Sequence, residues 1–130
     1  MQRPLTLFRQ IRFQTETGIL IRLEAVKDAH IEFAASRRSG TGRGLDLFTI
    51  YADKVCVDEE TVRLRSHITS MKETLSEGGP VGRKLDFIAQ EMNREANTIL
   101  SKANNIEISD VGINLKTGIE KIREQIQNIE

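Results

Sequence analysis

Asp86, Gln90, Asn93 and Asn97 recur at spacings of four, three and four. Wound at 100° per residue, that spacing sets four polar side chains in one line along a helix. A solvated helix face is ordinarily built from Glu, Lys and Arg, which keep their side-chain freedom there. Asn is about 0.6 kcal/mol worse than Ala in a helix interior, so two of them on one line need a reason other than solvation. Arg83 and Arg94 flank the line, and Lys84, Glu91, Glu95 and Lys102 lie further round, with Glu91 and Glu95 one turn apart. Phe87 falls almost opposite the apolar positions, where a phenyl ring needs a second contact, either protein or a stacked base. Together these groups have the chemistry to hold phosphate, to ligate a hard cation and to stack a base. A plainer reading is also open: the amides bond to a neighbouring helix and Phe87 packs under a loop.

The elements that must position these groups are helices. Gly82–Ala103 reads as one helix of about six turns, with Leu85, Ile88, Ala89, Met92, Ala96, Ile99, Leu100 and Ala103 as its buried stripe. Before it, Val57-Asp58-Glu59-Glu60 reads as a helix start, Asp58 capping and the acids suiting the macrodipole. That helix runs to Glu77 on a stripe of Leu64, Ile68, Met71 and Leu75, bordered by Arg63 and His67 on one side and Arg65 on the other. His67 titrates near neutrality when unperturbed, which suits a general acid or base, although a lone histidine beside an apolar face is most often structural. Gly78-Gly79-Pro80 forces a turn. The last helix, Ile108–Ile129, carries Ile108, Val111, Leu115, Ile119, Ile122, Ile126 and Ile129 at spacings of three and four, a heptad-like seam. Gly112 and Gly118 flank that seam, either to admit a close neighbour or simply as weak points. The fold class is therefore mainly α: antiparallel amphipathic helices, hairpin- or coiled-coil-like, whose narrow seams call for a further domain or further copies.

Residues 1–45 have a different texture. Leu7–Phe13, Gly18–Glu24 and His30–Phe33 read as short strands in a poorly defined segment. Ser36-Arg37-Arg38-Ser39-Gly40-Thr41-Gly42-Arg43-Gly44 reads as a flexible linker; it lacks the residue order of a phosphate-binding P-loop. Residues 1–45 hold eight Lys/Arg against four Asp/Glu, and residues 46–130 hold eleven against fifteen, which places a boundary near Gly44 and a helical domain over 46–130. Formal net charge is zero, which argues against a dedicated basic nucleic-acid binder but leaves room for a local basic patch. The single cysteine, Cys56, forms no intramolecular disulfide, there is no zinc-ligand spacing, and no run reads as a signal peptide or membrane span. The expectation is a cytoplasmic protein without a membrane partner.

From about Tyr51 onward the chain resembles the C-terminal region of the YicC family of bacterial endoribonucleases. The residues carrying the resemblance are Val62-Arg63-Leu64-Arg65-Ser66-His67, the run from Gly79 to Ile99 with Ser101-Lys102-Ala103, and Ile119 to Glu130. The resemblance implies a ring-like homo-oligomer that cuts RNA with a divalent metal, Mn or Mg. Family members are longer and carry a separate N-terminal domain, so this chain is expected to be a truncated member. Gly112 and Gly118 stand where the family has helix formers. On this reading, chemistry assigns His67, Glu91 and Glu95 to catalysis and Asp86, Glu91 and Glu95 to the metal. RNA contact falls to Arg63, Arg65, Arg83, Lys84, Phe87, Gln90, Asn93, Arg94, Asn97 and Lys102. The alternatives are a non-catalytic RNA-binding module and an oligomerisation bundle whose Arg/Glu pairs join helices.

Overall fold

The structure is a computed structural model; it describes the backbone of residues 4–41, 44–103 and 106–129, and the side chains of residues 6–33, 35, 58–103 and 106–129. Every long element is helical: α1 (Pro4–Phe13), a π-helical segment (Gln14–Ile19), α2 (Leu20–Thr41), α3 (Gly44–Glu77), α4 (Gly82–Ser101) and α5 (Ile106–Gln127). Phe13 and Leu20 keep right-handed helical backbone on either side of the π segment, so residues 4–41 form one continuous helix.

The strands expected at Leu7–Phe13, Gly18–Glu24 and His30–Phe33 are helical instead. The buried positions explain why. Leu7, Ile11, Thr15, Ile19, Leu23 and Val26 are all buried, at successive spacings of four, four, four, four and three. Repeated steps of four in an α-helix drift by about 40° each, which would rotate the stripe off the core. A π turn takes one more residue than an α turn, so the segment Gln14–Ile19 resets the stripe. Thr15 Oγ1 donates to the Ile11 carbonyl at 2.7 Å, a side-chain substitute within the altered ladder. It also lies 3.5 Å from Met71 Sδ across the core.

α3 is 34 residues long and begins well before the cap expected at Asp58. The Gly/Arg-rich run is helical through Thr41 and again from Gly44; its side chains, and that of Cys56, lie outside the described residues. Asn104-Asn105, between α4 and α5, lie outside them too. Gly78 and Gly79 adopt φ of 70° and 74°, the left-handed backbone that lets α3 reverse into α4.

Neighbours around the bundle run antiparallel. Arg12 bonds Ser76 while Glu24 pairs with Arg65; Lys84 meets Glu77 while Arg63 meets Glu95; Asp86 meets Arg123 while Leu100 lies against Gly112. Contacts link the N-terminal helix to α3, α3 to α4, α4 to α5, and α5 back to the N-terminal helix, so a four-helix ring closes with α4 diagonal to residues 4–41. The core threads its axis: Ile11, Ile19, Leu23, Leu64, Met71, Leu85, Met92, Ile99, Leu115, Ile119 and Ile122. The two α5 glycines are close-approach points. A Cβ on Gly112 would sit 2.8 Å from Leu100 Cδ2, and one on Gly118 would sit 3.0 Å from Ile19 Cδ1.

Candidate nucleic-acid interface

α4 has one buried stripe and three polar sectors, and its neighbours decide the fate of each sector. The sector facing α3 carries Glu91, Glu95 and Lys102. Arg63 on α3 donates from Nε to Glu95 Oε1 at 2.9 Å and from Nη2 to Glu60 Oε1 at 2.8 Å. Lys102 Nζ donates to the same Glu60 oxygen at 3.1 Å. Glu60 is 2% exposed and Glu95 8%, so two carboxylates are held inside the α3–α4 seam by two cations that reach in from its edge. The hydrogen bond to Glu95 holds the Arg63 guanidinium above its ordinary pKa, with the charges of Glu95, Glu60 and Glu59 adding and burial opposing. Buried carboxylates are tolerated only with such partners.

The sector facing α5 carries Asp86 and Asn93. Gln90 Nε2 donates to Asp86 Oδ2 at 2.9 Å, and Arg123 Nε of α5 lies 3.4 Å from Asp86 Oδ1. Asn93 is half-buried, and its Oδ1 is buried without a hydrogen-bond partner among the described residues. The amide line is thus split: Asp86 and Asn93 turn toward the α4–α5 seam, Gln90 and Asn97 toward solvent.

The third sector is the crest of α4. Arg83, Phe87, Gln90, Arg94 and Asn97 are all exposed, Phe87 by 63%. Arg83 makes no ion pair among the described residues. Arg94 has only a 3.5 Å contact with Glu91 along its own helix. Five residues with the chemistry to hold phosphate, stack a base and bond a base edge therefore stand exposed on one helix face, Gln90 and Arg94 with partners only on their own helix.

Other expected RNA contacts are engaged elsewhere. Arg65 is paired with Glu24 of the N-terminal helix, and Lys84 lies 3.6 Å from Glu77 across the hairpin turn. His67 is half-buried and makes no hydrogen bond among the described residues. The α3–α4 register, set by Arg63 with Glu95 and by Glu77 with Lys84, places His67 at the level of Glu91 to Glu95. The three carboxylates expected to hold a cation do not converge. Asp86 faces α5, Glu95 is held by Arg63, and Glu91 stands between them beside Arg94. Among the described residues no three His, Cys, Asp or Glu side chains gather to hold a metal ion. Sequence reasoning missed Glu60, which looked like a first-turn acid because α3 was started too late; its i,i+3 spacing from Arg63 was the available signal.

Two comparisons bear on this arrangement. The family model for the C-terminal domain of YicC-like endoribonucleases matches residues 19–130. A protein named probable endoribonuclease YicC from Clostridioides difficile (strain 630) is 54% identical over 81 residues. One of the same name from Haemophilus influenzae is 48% identical over 81 residues. Each alignment covers 62% of this chain and 28% of the relative, so the chain matches little more than a quarter of their length. The family match extends upstream of the helical run that carried the resemblance, through α2, where the structure also finds helix. A helical bundle with a polar crest on α4, matched from residue 19 to the last residue, makes this chain a member of the YicC-like endoribonuclease family through that family's C-terminal domain.

Proposed function

We propose that this chain acts on RNA as the helical region of an endoribonuclease, and that the crest of α4 is its contact with the strand. The observation that carries this reading is the contrast in partners. Charged groups on the flanks are consumed by neighbouring helices, whereas Arg83, Phe87, Gln90, Arg94 and Asn97 remain exposed, with no partner beyond Asp86 and Glu91 of their own helix. Arg83 and Arg94 take phosphates, Phe87 stacks on a base, and Gln90 and Asn97 reach base edges or ribose. The names of the relatives, probable endoribonucleases, support RNA as the substrate class.

For the chemical step, His67 is assigned the proton transfer; its being half-buried and level with Glu91, with no hydrogen bond among the described residues, supports that reading. Glu95 already accepts from Arg63, so it orients rather than abstracts. Asp86, Glu91 and Glu95 do not form a cation site by themselves, and no step is routed through one. A second reading, an RNA-binding module that does not cut, is favoured by that same dispersion of the acids.

The test is RNA retention and cleavage on one sample, with Mn²⁺ or Mg²⁺ and with EDTA. The expected result is salt-dependent retention that Arg83→Ala/Arg94→Ala weakens, with the slope of log affinity against log salt flatter by about 1.4. Retention without cleavage in either metal selects the non-catalytic reading. Retention unchanged in that double variant overturns the crest as the contact.

A further inference from the structure

The seam between the N-terminal helix and α5 differs from the other three. Elsewhere the arginines that turn toward a neighbouring helix meet acids: Arg63 meets Glu95, Arg65 meets Glu24 and Arg123 meets Asp86. Arg22 of α2 lies over α5 and meets none among the described residues. A Cβ on Gly118 would stand 2.5 Å from Arg22 Nη1 and 3.3 Å from its Cδ, so the side chain lies on bare α5 backbone. Gly18, one turn back on its own helix, is close as well: a Cβ there would stand 3.3 Å from the same Nη1 and 3.1 Å from Gln14 Oε1. Nη1 is buried without a hydrogen-bond partner among the described residues, although the residue as a whole is only half-buried. Gly is the poorest helix former after Pro, yet two helical glycines meet on this one guanidinium.

The flanks around Arg22 carry no acid. At 100° per residue, Gly18, Ala25 and Ala29 share its side of the N-terminal helix, and Asn114, Lys121 and Gln125 share Gly118's side of α5. Glu24, the nearest acid in the chain, is turned away to Arg65 of α3. Lys121 is exposed one turn from Gly118 and makes no ion pair among the described residues. Two cations and the amides of Gln14, Asn114 and Gln125 thus border one groove without a counter-charge. A guanidinium shut off from water on one side gains more from an arriving anion than a fully solvated one does.

We propose that this groove binds a phosphate monoester group, Arg22 and Lys121 taking its two charges and the amides its remaining oxygens. Charge count selects the group. A phosphate monoester carries close to two negative charges at neutral pH, which matches two cations. A carboxylate or a phosphodiester carries one and leaves a cation unmatched. The planar fork of Arg22 also suits phosphate oxygens. One face of the groove is the N-terminal helix, which lies diagonal to α4, so the site is separate from the crest and stands independently of the RNA reading. The same group is offered by a free phosphate compound and by the phosphorylated end of a nucleic acid strand.

The test is calorimetric titration of the whole chain, at constant ionic strength, with inorganic phosphate, adenosine 5′-monophosphate and adenosine. The first two should bind with dissociation constants of about 0.1 to 10 mM, and adenosine should not bind. Arg22→Met keeps the apolar stem and removes the charge, so phosphate binding should weaken at least about ten-fold. Its urea midpoint should hold or rise, because the charge removed has no partner in the fold; a merely structural arginine would lower it. Gly118→Ala drives the guanidinium off its seat and should weaken binding with Arg22 still present. Lys116→Gln, on the α4 side of α5, should bind as wild type. Two short RNAs that differ only in a 5′ phosphate or hydroxyl distinguish the sources. An Arg22-dependent preference for the phosphorylated strand assigns the site to a strand end, and equal binding assigns it to a free phosphate compound. Absence of phosphate binding, undiminished affinity in both Arg22→Met and Gly118→Ala, or an equal loss in Lys116→Gln each overturns the proposal.

Discussion

The α3–α4 seam and the crest of α4 are built from the same residue types, and their fates are opposite. In the seam, Arg63 and Lys102 are spent on Glu60 and Glu95, two carboxylates with almost no access to water. On the crest, Arg83 and Arg94 stand in solvent with at most one weak neighbour. An arginine bonded to a buried carboxylate is a structural part; an arginine with none nearby is available to a phosphate. Nothing in the identity of the residues separates these cases. The difference is whether a partner helix arrives at that height with an acid.

Four substitutions press on this contrast, in order of effect. Met92→Ala removes a fully buried side chain from the stripe that supports both regions. It should lower unfolding free energy by roughly 3 kcal/mol in urea titration, and RNA retention should fall only where the fold does. Glu60→Ala should cost about 2 kcal/mol, through lost charge-assisted hydrogen bonds. Its sharper readout is RNA retention: Lys102 and one arm of Arg63 are released, so affinity should rise and steepen with salt. A fall in affinity would show that the seam, not the crest, meets the RNA. Phe87→Ala should leave stability within about 0.5 kcal/mol, as for exposed sites generally. It should weaken RNA binding by about 1–2 kcal/mol if a base stacks there. Gln90→Ala/Asn97→Ala is the finest cut. Alanine is the better helix former, so melting temperature should hold or rise by an amount worth a few tenths of a kcal/mol per residue, while RNA retention drops. If retention also holds, the exposed amides are ornament and only the cations and the ring matter.

Along the chain, legibility followed the period of the apolar residues. From Leu64 to Ile126 the spacings of three and four gave helices, stripes and the Gly78-Gly79 reversal; the structure keeps them, except that α4 ends at Ser101 and Leu100 and Ala103 are only half-buried. The N-terminal region misled because five buried residues stand four apart, an even spacing that suits one face of a strand and drifts off the face of a straight α-helix. Only a π segment reconciles it with one core. The start of α3 was misplaced for a related reason: acids at Asp58–Glu60 are typical of a first turn, but here the helix is already four turns old and Glu60 points inward. Gly112 and Gly118 were ambiguous in sequence. Their cause is across the gap, in Leu100 and in Ile19 with Arg22.

For the site, the polar line on α4 was visible, yet its division was not. Gln90 and Asn97 face water while Asp86 and Asn93 turn to the α5 seam, because Arg123 lies on that side. The three acids expected to share a cation were separated by the same logic, each drawn to a different basic neighbour.

The sequence by itself determined the helices from Leu64 onward, their apolar stripes and the unusual polar residues opposite them, because periodicity acts within a few turns and needs no distant partner. Tertiary structure alone decided which charges are spent and which are free. Arg63 meets Glu95, and Asp86 meets Arg123, across more than thirty residues of chain. Those meetings depend on the register at which whole helices lock together, and that register is fixed by the packed core, not by the residues it pairs.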